Sequence, residues 1–144
     1  MRVAKDQQLG GAQRFADPGR SGAVVDARKH VQAALLDDVF QRGLNVFARI
    51  DHSAGAAKIG KTLRPTELLI FGNPQGGTPL MECAQTAGID LPLKALVWED
   101  ASNQVWLGYN DPAFLAQRHG AAACPVVDNL RKALAGIAEA AVAR

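Results

Sequence analysis

Asp51 and His52 stand side by side in this chain, and they pose the first chemical question. Histidine changes charge near neutral pH, so an imidazole beside a carboxylate is the minimal equipment for acid/base catalysis or for holding a metal ion. Neighbours on extended chain point to opposite sides, and the plainer reading has Asp51 capping a helix while His52 bonds locally. A second cluster is Gly72-Asn73-Pro74-Gln75-Gly76-Gly77-Thr78-Pro79, turn chemistry running into a helix N-terminus. Backbone N–H groups and the helix dipole favour an anion or a carboxylate there. No lysine follows the last glycine where a P-loop needs one, and a tight turn with Thr78 as cap explains the same residues. The third cluster is Tyr109-Asn110-Asp111-Pro112. Asp111 before proline is a helix cap, which leaves Tyr109 and Asn110 as the side chains to line a cleft.

Other chemistries find less support. The three histidines, His30, His52 and His119, have no ligand spacing among themselves, and no metal or other cofactor is expected. His119 follows Arg118 in the last turn of a short helix, where a cation meets the dipole favourably, and reads as structural. His30 reads as surface. Cys83 and Cys124 form no CxxC pair, which argues against a zinc site and a disulfide scaffold. Cys83 falls on an inward stripe and reads as core, with Cys124 more exposed. A reducing cytoplasm fits that usage best, though an isolated bridge stays open. No GxSxG elbow exists, so serine hydrolase chemistry has no motif behind it.

These residues need elements to position them. Val24 to Gln41 repeats apolar residues at helical spacing (Ala27, Val31, Leu35, Val39), and Gly43 supplies a stop. Leu44 to Ile50 alternates with a period of two, which predicts a strand with Leu44, Val46, Ala48 and Ile50 on one face and Phe47 on the other. A short helix follows with Ser53 as cap and Ala56, Ala57 and Ile59 inward, and Glu67 to Gly72 is a second, mostly buried strand. Thr78-Pro79 predicts a helix over Pro79 to Ala87. Leu93 to Glu99 and Val105 to Tyr109 form a hairpin around Asp100-Ala-Ser-Asn-Gln104. A short helix begins after Asp111, and a long alanine-rich helix carries Val127, Leu130, Leu134, Ile137 and Ala141. Hairpin strands with interposed helices predict α+β: an antiparallel sheet with helices on one face. The other face then exposes Phe47, Trp98 and Trp106, and such an area suits a partner or a ligand groove.

The chain has 144 residues, 48% hydrophobic and 21% charged, which describes one globular domain of ordinary composition. The formal charge of +2 resides in residues 1–22, where four basic groups meet two acidic ones. The remainder is balanced, which weighs against nucleic acid. No apolar run approaches a membrane span and no signal peptide is visible. Residues 1–22 are expected to be a polar, poorly anchored leader and residues 23–144 a single domain.

The runs FARIDHSAGA, ELLIFGNPQGGTPLMECA, IDLPLKALVWED and VWLGYNDPAFLAQRHG together resemble domain-of-unknown-function family 302, over about residues 44 to 120. The resemblance implies a TATA-binding-protein-like α+β fold, with a curved antiparallel sheet and packed helices, often seen as dimers. It assigns no activity. The family places a first strand where this chain has GAQRFADPGRSGAVV, so either Gly22 to Val25 supplies a short edge strand or the arm crosses the sheet irregularly.

The reading that follows is a cytoplasmic homodimeric domain binding a small molecule at strand ends. Asp51, His52, Asn73, Thr78, Tyr109 and Asn110 would line the site, flanked by Trp98 or Trp106. The alternatives are an acid/base enzyme using His52, assisted by Tyr109 or Asp51, and an interaction module using the exposed sheet face.

Overall fold

The structure is a computed structural model and describes residues 3–5, 12–16 and 24–143. Its elements in chain order are β1 (Val3–Lys5), β2 (Ala12–Ala16), α1 (Val24–Gln41), β3 (Asn45–Asp51), α2 (His52–Lys58), β4 (Thr66–Gly72) and α3 (Pro74–Cys83). A short 3-10 helix, Gln85–Ile89, precedes β5 (Leu93–Glu99), β6 (Val105–Asn110), α4 (Pro112–Arg118) and α5 (Val127–Ala143). The strands form one curved antiparallel sheet in the order β1-β2-β6-β5-β4-β3. The architecture is α+β, as the alternation and hairpin signals predict.

Helices α1 and α5 pack on each other and on one face of the sheet. Val31, Leu35 and Val39 from α1 and Leu134 and Ile137 from α5 meet Phe71, Val97 and Leu107 from the strands, all at most 2% exposed. Burial of side chains of this size stabilises by roughly 1.5–3 kcal/mol each, before entropy is counted. α1 ends where Gly43 adopts φ +70, a left-handed conformation that glycine accepts without strain. Asp38, buried near that end, pairs with Arg42 Nε at 2.6 Å. The Arg42 guanidinium lies over Gly136 of α5, where an added Cβ would stand 3.0 Å from it.

Several expectations change. The β3 alternation does not run through the strand, because the pairing with β4 slips between Val46 and Ala48. This bulge inserts Phe47 as an extra residue and reverses the faces after it. Val46 therefore sits opposite core Phe71, whereas Ala48 and Ile50 sit opposite Ile70 and Leu68 on the face away from α1 and α5. Arg49 turns under α1, where it binds Glu67 Oε1 at 2.7 Å while Gln32 donates to Oε2 at 2.9 Å. α2 buries no residue, and Ile59, expected inward, is exposed. α3 begins one turn earlier than Thr78-Pro79 suggests, so Asn73 is the cap and Pro79 lies inside the helix.

The first strand also differs. Val24 and Val25 are helical, and the strand that borders β6 is Ala12–Ala16, registered from Ala12 on Asn110 to Ala16 on Trp106. Two strands thus come from the stretch assigned to a leader. The remainder of that stretch, Gly22 included, lies outside the described residues.

Candidate functional site

The six residues singled out in the sequence occupy different places. In the β3–β4 ladder Asn45 faces Gly72 and Asp51 faces Glu67. Asn73 therefore follows one end of the ladder and His52 the other, six residue steps or about 20 Å apart at 3.3 Å per residue. His52 is exposed. Asp51 Oδ1 accepts hydrogen bonds from the Ala54 amide at 3.0 Å and the Ser53 hydroxyl at 2.5 Å, capping α2. Those bonds hold its carboxyl below the usual carboxylate range. Ser53, expected to cap, instead supports the cap.

Asn73 and Thr78 do meet, at a cavity of about 320 Å³. One wall is the first turns of α3 with Met81, the floor is Leu91 to Leu93, and the other wall is Leu130, Ala133, Leu134 and Ile137 of α5. Phe47, 57% exposed, stands at the same cavity, because the bulge turns it to this side and away from Trp98 and Trp106. Gly77 leaves room: an added Cβ would come within 3.7 Å of Leu91 Cδ1. The volume is at the small end of the range of about 300–1,000 Å³ for ligand pockets. The lining is nearly all apolar, with Thr78 and Asn73 as polar groups.

The start of α3 offers an anion less than its sequence implies. Pro74 carries no N–H, Gly76 N–H is bonded to Asn73 Oδ1 at 2.9 Å, and Gly77 N–H to Asn73 O at 3.1 Å. The cavity therefore favours an apolar body with one hydrogen-bonding group over a phosphate or carboxylate.

Tyr109 and Asn110 part company. Tyr109 is buried against α5, in a second cavity of about 260 Å³ shared with Asp111, Arg131 and Lys132. Burial, reinforced by the charges of Asp111 and Glu139, pushes its hydroxyl up to about 12, so it stays protonated at neutral pH and is no ready base. Asn110, the next residue on the strand, points to the opposite face and is exposed. α5 runs between the two cavities.

Trp98 and Trp106 lie on the sheet face away from α1 and α5, stacked with ring centroids 6.3 Å apart. Trp106 Nε1 donates to Asp100 Oδ2 at 2.8 Å. Leu68, Ile70 and Leu96 share this face, none of them fully buried.

The cysteines correct their reading. Cys83 and Cys124 form a disulfide with Cα atoms 6.0 Å apart. Cys124 is the buried partner and Cys83 the exposed one. The bridge joins the last residue of α3 to the loop before α5, and so ties together the two walls of the larger cavity. It also removes the argument from free thiols on which the cytoplasmic expectation rested. Spacing could not reveal the pair, because only the fold brings α3 and that loop together. The apolar cavity walls were equally hidden, since Met81, Leu91 and Leu130 carry no chemical signature in sequence.

Among the described residues no group of three or more His, Cys, Asp or Glu could hold a metal ion, and no helix is long and apolar enough to cross a membrane. A family model described as "Domain of unknown function DUF302" matches residues 22–139. The crystal structure of an uncharacterized conserved protein DUF302 from Bacillus stearothermophilus superposes with a TM-score of 0.78 at 16% identity, covering 91% of this chain and 98% of that one. Proteins named fluoride-specific ion channel FluC 1 from Brucella suis biovar 1 and Brucella abortus biovar 1 are each 53% identical over 103 residues, 69% of this chain. The match spans 41% and 38% of those proteins, so this chain corresponds to about two fifths of their length.

Proposed function

Because the chain belongs to the family of domains of unknown function DUF302, which assigns no reaction, we propose from its geometry that it binds a small, mainly apolar molecule between α3 and α5. The observation that carries this reading is the cavity of about 320 Å³ at the sheet end, apolar on both walls and supplied with polar groups by Asn73 and Thr78. Preformed apolar pockets with a few placed polar groups are the usual form of small-molecule sites. Asp51, His52, Tyr109 and Asn110 fall outside its lining, so the acid/base alternative on His52 draws no support from it. The channel activity named for the Brucella relatives is not carried over, since the match covers the smaller part of their length.

The test is displacement of the fluorescent probe 1-anilinonaphthalene-8-sulfonate by straight-chain alcohols, in the wild type and in Ala133→Trp, which fills the cavity from α5. Saturable probe binding that Ala133→Trp removes supports the reading. Equal binding in both proteins contradicts it.

The apolar sheet face with the Trp98–Trp106 stack favours a second reading, in which this face meets another copy of the chain. Light scattering at micromolar concentration tests it: a dimer that Trp98→Glu dissociates supports it, and a 15.2 kDa particle contradicts it.

A further inference from the structure

His119 is held between a side chain of the 3-10 helix and that of the residue capping its end. Its Nε2 meets Asp90 Oδ2 at 2.5 Å, and its Nδ1 meets Thr86 Oγ1 at 3.0 Å. The imidazole is 9% exposed and Asp90 16%, whereas Thr86 lies on the surface. Asp90 is anchored through its other oxygen by Arg118 Nη1 at 3.3 Å.

The bonding fixes the proton positions of the neutral ring. A carboxylate can only accept, so Nε2 carries the hydrogen and Nδ1 presents its lone pair. The Thr86 hydroxyl then donates to Nδ1. A surface hydroxyl bonded to an imidazole, which is itself oriented by a carboxylate, is the arrangement that activates an alcohol as a nucleophile. Nothing in the local sequence announces it, since Thr86 and Asp90 come from one turn and His119 from the end of α4.

We propose that Thr86 is the nucleophile of an acyl-transfer site acting on esters of small carboxylic acids, with His119 as general base and Asp90 as its positioning residue. Thr86 Oγ1 bonds to the ester carbonyl carbon as its proton passes to His119 Nδ1. Collapse of the tetrahedral adduct breaks the bond to the leaving alcohol, which takes that proton and leaves an acyl-threonine. Water then adds to the acyl carbon, giving a proton to Nδ1. The second collapse returns that proton to Thr86 and releases the carboxylic acid. The site stands apart from the lining of the cavity at Asn73 and does not depend on ligand binding there. Gly88, two residues beyond Thr86 in the chain, belongs to the lining of that cavity.

The probe is p-nitrophenyl acetate, with nitrophenolate release followed by absorbance and the acylated residue located by peptide mass spectrometry. The wild type should release nitrophenolate and carry one acetyl group on Thr86. Thr86→Val, which keeps the shape at an exposed position, should lose the adduct at an unchanged melting temperature. His119→Gln should slow acylation about a hundredfold or more. A wild type that carries no acetyl group on Thr86 and releases nitrophenolate no faster than Thr86→Val overturns the proposal. So does acetylation of Thr86 that is equally fast in His119→Gln, because a purely structural clamp would leave that rate unmoved.

Discussion

Cys83 and Cys124 connect the two walls of the Asn73 cavity, one at the end of α3 and the other in the loop leading to α5. Reduction should therefore act on stability and on the cavity together. The bridge closes a loop with a sequence separation of 41, for which chain entropy implies a loss of about 4 kcal/mol as an upper figure. Urea unfolding with and without dithiothreitol should show a loss of that order, together with weaker binding of the fluorescent probe. Iodoacetamide should then label exposed Cys83 before buried Cys124. Unchanged stability after complete reduction would contradict the bridging role.

Asp100 organises the β5–β6 turn. Its Oδ1 accepts from the Ser102 and Gln104 amides, and its Oδ2 from the Trp106 indole. The Trp106 bond, with help from the Gln104 and Ser102 amides, lowers its pKa from the ordinary 3.8. A depressed carboxylate contributes stability above its unfolded pKa and loses it as pH falls through the folded one. Tryptophan fluorescence should accordingly titrate with a midpoint below pH 3.8, and Asp100→Asn should abolish the transition. Replacement by Ala should cost about 1 kcal/mol, discounted for exposure. A midpoint at or above 3.8 contradicts the assignment.

The separation of His52 from the cavity yields its own prediction. Asp51→Ala should cost about 1 kcal/mol through loss of the α2 cap. His52→Ala, at an exposed position, should stay within about 0.5 kcal/mol. Probe affinity should be unchanged in both. If either variant weakens probe binding, the two ends of β3 serve one site after all.

Phe71 faces Val46 and Leu93 on the helix-covered face, one residue from the end of β4, and is 0% exposed. Phe71→Ala should destabilise by about 3–5 kcal/mol in urea unfolding. A cost below about 1 kcal/mol would mean that the core lies elsewhere.

Much of this architecture was legible in sequence because it rests on local signals. The apolar spacing of Val31, Leu35 and Val39 with Gly43 as stop delimits α1, and Asp111-Pro112 marks the start of α4 in the way the structure shows, with Asp111 Oδ1 accepting from the Ala113 amide. Features that depend on partners were not legible. The bulge at Phe47 arises from the register against β4, so alternation within β3 alone assigns Ala48, Ile50 and Phe47 to the wrong faces. Asn73 and Thr78 are both good caps, and the earlier one prevails. Ala12–Ala16 has little strand character by itself and becomes one because β6 offers a sheet edge. In the candidate site, strand-end polar residues were visible as types, but antiparallel register distributes them over both ends of the sheet. The cavity walls and the Thr86–His119–Asp90 bonds come from segments distant in sequence.

The central claim is that the space between α3 and α5 receives an apolar ligand, and a crystal structure of the oxidised protein soaked with 1-anilinonaphthalene-8-sulfonate tests it most directly. The account predicts electron density for the aromatic rings between Phe47, Met81 and Ala133, with the sulfonate turned out to solvent at the cavity mouth and away from the start of α3. Density confined to the Trp98–Trp106 face, with the cavity closed by its own side chains, would contradict it.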